Sequence, residues 1–404
     1  MCKGGNLYQF LDLGYHPHSD QFRKTNDEPE TRYPLRLLWC TDCSLVQLSY
    51  IVEPEVMYTD DYLYEASITA TADKHWEDLV SDVIDTTGIT GGSVIDIGGN
   101  DGTLALKFKE RGFNAANIDP CKEVCDISTE RGIHTLCAFF NTDVASDISS
   151  AAADFKEEGL DIVTGTNVFA HVHDLDDFME GIKMILKPDG VFVFESPYLY
   201  DFLEGLEYDT VYHQHLSYLS LRPLIPFLAK HGMEVFHVLH TPLHGGGFRV
   251  YIAHKDAKEV RSSVQEMYDE EYACTSAFEN FAENAKVHMN ELFDLIHRIH
   301  AGGGTIACVS APAKGMTMLN ATGVGKRYIE FITEKSKLKI GRYTPGTKMK
   351  IVGDEELIKR QPDYALILAW NFAEEIMANN PEYTGTWIIP LPTIRYVEPL
   401  PINK

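Results

Sequence analysis

The chain has 404 residues, 44% hydrophobic and 24% charged, with a formal net charge of -25 at pH 7. That length exceeds what one core serves, so two or three domains are expected, and the composition is globular with no apolar run long enough for a membrane span. The negative charge argues against nucleic acid as a partner, because binding phosphates needs a positive footprint. The first residues, "MCKGGNLYQFLDLG", lack the basic start, apolar stretch and small-residue cleavage site of a secretory signal, so the cytoplasm is the expected location. Eight cysteines in such a chain read as thiols or metal ligands, not as a disulfide framework.

Residues 1–67 mix Pro, Gly, Asp and aromatics without a sustained helical period, which predicts a small, loop-rich module. Within it, Cys40 and Cys43 of "LLWCTDCSLVQL" form a C-x-x-C knuckle, the spacing that puts two thiolates on one tetrahedral ion. A redox role is disfavoured, since the motif does not open a helix after a strand. Cys2 offers a third ligand. For the fourth, His16 or His18 completes the set, or the start of the chain lacks part of the motif, or metal is absent; structural zinc is the expectation.

Residues 68–257 alternate helical stretches with apolar runs: "SVIDIGG", "NAANID", "DIVTGTNVF", "VFVFESP", "MEVFHVLH" and "FRVYIAH". Strands alternating with helices imply a largely parallel sheet covered on both faces. Residues 258–404 begin with a polar and aromatic helix over about 258–300, after which "GGGTIACVSAPAKG", "YIEFITE", "KMKIVG" and "YALILAW" predict a second, smaller α/β unit. Between Lys326 and Lys350 lie eight basic residues against two acidic ones, either a solvated face or a site for a small anion such as a diphosphate.

The most informative stretch is "SVIDIGGNDGTLALKFKERGFNAANIDP". A strand ends at Asp96, Gly98, Gly99 and Gly102 make a turn without side-chain bulk, and an amphipathic helix follows from Thr103, so backbone can approach a ligand at a helix N-terminus. A second strand ends at Asp119, where an acidic residue would bind ribose hydroxyls. A dinucleotide site would show G-x-G-x-x-G, whereas this loop places an acid two positions before the first glycine. It resembles the first motif of the class I S-adenosylmethionine-dependent methyltransferases. That resemblance implies that Asp96, Gly98, Gly99, Asn100 and Asp101 shape or line the cofactor site and that Asp119 holds the ribose. It also implies that Asn167, in "TNVFAHV", lies beside the cofactor with His171 near the transferring methyl. Cys121 and Cys125, at i,i+4 after the second strand, read as packing thiols.

"YDTVYHQHLSYLS", residues 208–220, gathers three tyrosines, two histidines and Gln214 without apolar periodicity. Together with "FLDLGYHPHSDQF", "YLYEAS", "VIDIGGNDGTL", "HGGGFRVY", "SAPAKGMTMLN" and "PDYALILAWNFAEEI", it matches in order the sugar C-methyltransferases, which methylate carbon 3 of nucleotide-linked 4-keto deoxysugars. The resemblance covers nearly the whole chain. It implies an α/β architecture: a small N-terminal zinc module, a central class I methyltransferase Rossmann-like domain, and a C-terminal Rossmann-like domain that helps hold the nucleotide sugar. By the same resemblance Tyr212 and His215 are the catalytic tyrosine and histidine, His171 and Tyr64 (or Tyr62) are pocket residues, and His213, Arg249, Lys314 and Gly315 face substrate, the last two in a phosphate-facing turn. Relatives commonly carry glutamate where this chain has Gln214, and an amide does not raise the basicity of its neighbours. The residue types fit the chemistry: a carbon beside a ketone needs a base, for which neutral His215 serves, and a donor to the enolate, for which Tyr212 or His171 serves. Methylation of oxygen or nitrogen and nucleotide-sugar binding without turnover are the rival readings. The nucleotide base, the exact sugar and the oligomeric state stay open.

Overall fold

Three sheets organise the chain in the computed structural model, which describes residues 1–57, 70–151, 159–241, 245–272 and 276–398. The first is antiparallel: β1 (Leu7–Pro17), β2 (Arg32–Cys40) and β3 (Val46–Leu48). Its fourth strand, Ser217–Tyr218, comes from far along the chain and pairs Val46 with Tyr218 and Gln47 with Ser217. The N-terminal module is therefore stitched to the end of the tyrosine and histidine cluster itself.

The central sheet contains β4 (Ser93–Ile97), β5 (Asn114–Asp119), β6 (His134–Cys137), β7 (Leu160–Thr166) and β8 (Leu186–Pro197). With Ser217–Tyr218 counted as β9, it is completed by β10 (Met233–Thr241) and β11 (Gly247–His254). The order is β10-β11-β8-β7-β4-β5-β6, with β11 antiparallel to both neighbours and the remaining pairs parallel. All five residues of β4 are buried, as are Val191 to Ser196 of β8, which is why these strands read as apolar runs and not as alternating ones. Strand order reverses between β4 and β7, and the crevice beyond their carboxyl ends is where such a sheet holds its ligand. β6 was not among the expected strands; only one of its four residues is even partly buried, so it has no apolar signature.

The third sheet runs β14-β13-β12-β15-β16-β17, from β12 (Ile306–Val309), β13 (Phe331–Glu334), β14 (Ile351–Gly353), β15 (Tyr364–Ile367), β16 (Thr386–Ile389) and β17 (Arg395–Val397). It is parallel except for β17. The single helix expected over about 258–300 is two, Ser262–Tyr272 and Ala277–Ala301. The second is a strut: its Phe278 stacks on Trp39 of β2 at 5.0 Å between ring centres, and its Phe281 stacks on Phe202 of the central domain at 4.7 Å. Aromatic pairs of this kind bury large area and fix orientation. Among the described residues no helix is long and apolar enough to cross a membrane.

His16, His18 and His213 are buried where the N-terminal module meets the central domain. Burial pushes His16 and His213 down to about 4 and lowers His18 as well. An unfolded chain takes up these protons near the ordinary histidine value of about 6.5, so stability is fully present above that pH and is lost as pH falls through it toward the folded values. Histidine-selective NMR titration is expected to give midpoints near 4 for His16 and His213. Midpoints near about 6.5 for either ring would contradict the buried placement.

Candidate active site

The crevice between β4 and β7 is built by backbone. Gly98, Asn100 and Gly102 have φ of 66°, 51° and 76°, left-handed values that let the chain turn sharply before the helix Thr103–Glu110. A Cβ on Gly98 would overlap Val168, and one on Gly102 would overlap Ser128, so neither position admits a side chain. The turn is fixed from β5. Asp119 Oδ2 accepts the Asn100 N–H at 3.0 Å, and Asn117 Nδ2 donates to the Asn100 carbonyl at 3.0 Å and to Ser128 Oγ at 3.1 Å. The other Asp119 oxygen takes the Cys121 N–H at 2.9 Å. Burial pushes Asp119 above the usual carboxylate range, and it pushes Asp96 up to about 7 although the Thr164 hydroxyl donates to Asp96 Oδ1 at 2.7 Å. Asp96 Oδ2 is buried without a hydrogen-bond partner among the described residues.

A turn with glycine at 98, 99 and 102 and acidic groups on both sides fits an adenosyl cofactor with a cationic methionine end. Asp101 departs from the expectation that it lines that cofactor. Its carboxylate accepts from the backbone and hydroxyl of Thr103 and pairs with Arg131 at 3.0 Å, so it shapes the turn from within. Asn167 sits at the end of β7 with φ of 56°, its N–H bonded to the Glu195 carbonyl at 2.8 Å. Cys121 and Cys125 are buried, and the Cys125 thiol donates to the Asp119 carbonyl at 3.1 Å, a packing role.

The 208–215 loop meets this crevice at His171, whose ring centre lies 5.0 Å from that of His215. His215 Nδ1 is 2.9 Å from the Thr210 carbonyl, which only accepts, so Nδ1 carries the hydrogen. In the neutral ring Nε2 is then the acceptor, and the Tyr212 hydroxyl donates to it at 2.8 Å. His171 is pushed down to about 4 by burial and is neutral near pH 7. Gln214 Nε2 donates to Asp20 Oδ2 of the N-terminal module at 2.8 Å.

The remaining expected site residues are dispersed. Tyr62 and Tyr64 lie outside the described residues. His213 is fully buried, edge-on to Tyr33 at 5.7 Å, and so faces the N-terminal module instead of a substrate. Arg249 is buried on β11, where its Nε donates to Glu195 Oε1 at 2.8 Å and its Nη1 pairs with Asp82; with its donors so engaged it is an internal ion pair, not a substrate contact. Lys314 is half-buried, with its Nζ 4.3 Å from the Trp370 ring centre and its charge acting on Asp209 and Glu207. Gly315 packs its helix on β15's exit, where a Cβ would lie 2.7 Å from Leu368 Cβ. Sequence reasoning missed Asp20, Asn117, Thr210 and Trp370; their partners are distant in sequence or are backbone atoms, and leave no local motif.

Cys2, Cys40 and Cys43 come together, their sulfurs all within 4.8 Å of one another and those of Cys2 and Cys40 at 3.5 Å. Thiolates on a tetrahedral zinc stand about 3.8 Å apart, so the donor set fits such an ion. Neither histidine completes it: His16 Nε2 is 2.8 Å from the Leu13 carbonyl, and His18 lines a separate pocket with Asp20.

Known families match three parts of the chain: a zinc binding domain over residues 1–58, a methyltransferase domain over 69–238 and a C-methyltransferase C-terminal domain over 242–392. The C-methyltransferase NovU of Streptomyces niveus is 33% identical over 98% of this chain and 96% of its own length. A ubiquinone biosynthesis O-methyltransferase of Actinobacillus pleuropneumoniae is 26% identical over only 27% of this chain and 47% of its own. A solved S-adenosylmethionine-dependent methyltransferase of Clostridium acetobutylicum shares 12% identity over 45% of this chain and 92% of its own, at a TM-score of 0.35. A relative of that identity over nearly the whole length, on top of a glycine turn clamped by Asp119 and Asn117, shows that this chain belongs to the S-adenosylmethionine-dependent C-methyltransferases.

Proposed function

We propose that the enzyme methylates carbon 3 of a nucleotide-linked 4-keto deoxysugar through a base-generated enolate, with residues 1–67, 68–257 and 258–404 as its zinc, cofactor and sugar-nucleotide domains. The observation that carries the reading is the 2.8 Å hydrogen bond from the Tyr212 hydroxyl to His215 Nε2, beside a neutral His171. Bound S-adenosylmethionine supplies an electrophilic methyl group. The protein's task is to make the carbon nucleophilic. A proton leaving carbon 3 passes to the Tyr212 oxygen as the phenol's own proton moves to His215 Nε2, and the imidazolium so formed keeps its Nδ1–H on the Thr210 carbonyl. A neutral His171 carries one ring N–H, the type of donor that an enolate oxygen needs as charge develops.

Arg23, Lys24 and Arg342 line a pocket with His18 and with Asp20, the partner of Gln214. Three cations against the carboxylates of Asp20 and Glu28 in this pocket suit a diphosphate, and Arg342 brings the basic stretch 326–350 into that role. The thiols of Cys2, Cys40 and Cys43 would hold a structural zinc, which fixes the turn between β2 and β3 and so the module that presents Asp20.

Incubation with methyl-labelled S-adenosylmethionine and a panel of nucleotide-linked 4-keto sugars is expected to put label on a ring carbon, and His215→Ala to lower kcat by about 10²- to 10⁴-fold. Label on oxygen or nitrogen, or an unimpaired His215→Ala enzyme, contradicts the reading. Elemental analysis is expected to find one zinc per chain, lost in Cys40→Ser along with a fall in Tm equivalent to about 2 kcal/mol or more. A metal-free protein whose Tm does not respond to a chelator would remove zinc from the account.

A further inference from the structure

Strand order in the C-terminal sheet reverses between β12 and β15, the place where an open α/β sheet holds a ligand. The residues leaving both strands are already engaged. After β15 the chain reaches Trp370, whose Nε1 donates to Asp209 Oδ2 at 2.8 Å. After β12 it enters the helix Ala313–Thr322, where Lys314 lies over the Trp370 ring and its charge acts on Asp209 and Glu207. One turn on, the Thr317 hydroxyl donates to the Val211 carbonyl at 2.9 Å. The Tyr208 hydroxyl is 3.2 Å from His288 Nδ1, and His288 Nε2 donates to the Pro390 carbonyl at 2.7 Å, which makes Nδ1 the acceptor. Residues 208, 209 and 211 are thus each bonded to the C-terminal domain, and the residue between them, Thr210, holds the His215 ring through its carbonyl. Gly245 closes the seam: a Cβ there would overlap Glu207 and lie 2.9 Å from the Trp370 ring.

We propose that the ligand crevice of the C-terminal Rossmann-like domain is occupied by the enzyme's own 208–211 segment, with the Asp209 carboxylate where an anionic ligand would sit, and that Asp209, Trp370, Lys314 and Thr317 are positioning residues for Tyr212 and His215. The proposal rests on the Tyr212–His215 base proposed above. It gives the C-terminal domain a catalytic duty beyond contact with the sugar nucleotide. Asp209 is fully buried, so its charge depends on the indole N–H, the nearby ammonium and the backbone N–H groups of its own turn. Losing the indole N–H or the ammonium frees the segment, and with it the carbonyl that selects the imidazole tautomer. Misplacement of a reacting group by about 1 Å costs up to roughly 10²-fold in rate.

The test compares Trp370→Phe, which removes one N–H and keeps a ring, with Asp209→Asn, Thr317→Val and Lys314→Met. Four measurements are made on the full-length enzyme: amide exchange over 208–218, histidine side-chain nitrogen spectra, affinity for S-adenosylhomocysteine, and kcat and KM on the best keto sugar. Trp370→Phe and Asp209→Asn are expected to speed exchange in this segment at least about 10-fold, to lose the single Nδ1–H tautomer of His215, and to lower kcat about 10- to 100-fold. Affinity for S-adenosylhomocysteine should change by less than about 2-fold, because the β4 turn is untouched. Unchanged exchange and an unchanged His215 tautomer in Trp370→Phe overturn the proposal even if Lys314→Met fails to fold. If His215 is not the base, exchange and tautomer still respond in these variants while His215→Ala remains active, which separates the two failures.

Discussion

The 208–218 segment has little regular structure of its own, and it is held by hydrogen bonds to both the N-terminal and the C-terminal parts of the molecule. Gln214 bonds to Asp20 and Ser217–Tyr218 pairs with β3 on the N-terminal side; Asp209 and Val211 bond to Trp370 and Thr317 on the C-terminal side. A buried polar group without a partner costs about 1–3 kcal/mol, so the docked modules set the shape of the segment more than its own turn propensity does. A serine, Ser19, lies 3.4 Å from the Thr317 hydroxyl, bringing the N-terminal and C-terminal modules into contact beneath the same turn.

The cofactor side follows a different logic, in which one strand fixes the loop of its neighbour. Asp119 and Asn117 on β5 hold the N–H and the carbonyl of Asn100, and Asp101 accepts from the Thr103 hydroxyl, so the glycine turn is rigid before any cofactor arrives. Rigidity on this side and docking on the other meet at the 5.0 Å contact between the His171 and His215 rings. Prior organisation of this kind replaces ordering that would otherwise be required in each turnover.

Much of this was legible in the sequence because it is written locally. Apolar runs marked the parallel strands around the central turn other than β6, the acid and glycines of 96–102 marked the sharp turn after β4, and C-x-x-C marked two of the three clustered thiols. What was not legible shares one physical cause. "SAPAKG" announces a strand, a turn and a lysine, but neither the Trp370 ring beneath that lysine nor the charges of Asp209 and Glu207 that act on it, all of which lie far along the chain. Arg249 likewise reads as an anion contact, yet Glu195 and Asp82, 54 and 167 residues away, take its donors. The amide at 214 looked like the loss of a charge, whereas the fold supplies a carboxylate from Asp20, 194 positions earlier.

The most direct measurement of the central claim is a crystal structure of the enzyme with S-adenosylhomocysteine. The account predicts the ribose on Asp119 and the sulfur on the order of 5–7 Å from Tyr212 Oη, a gap that one reacting carbon spans. A sulfur farther than about 10 Å from Tyr212, or a cofactor seated away from the Gly98–Gly102 turn, would contradict it.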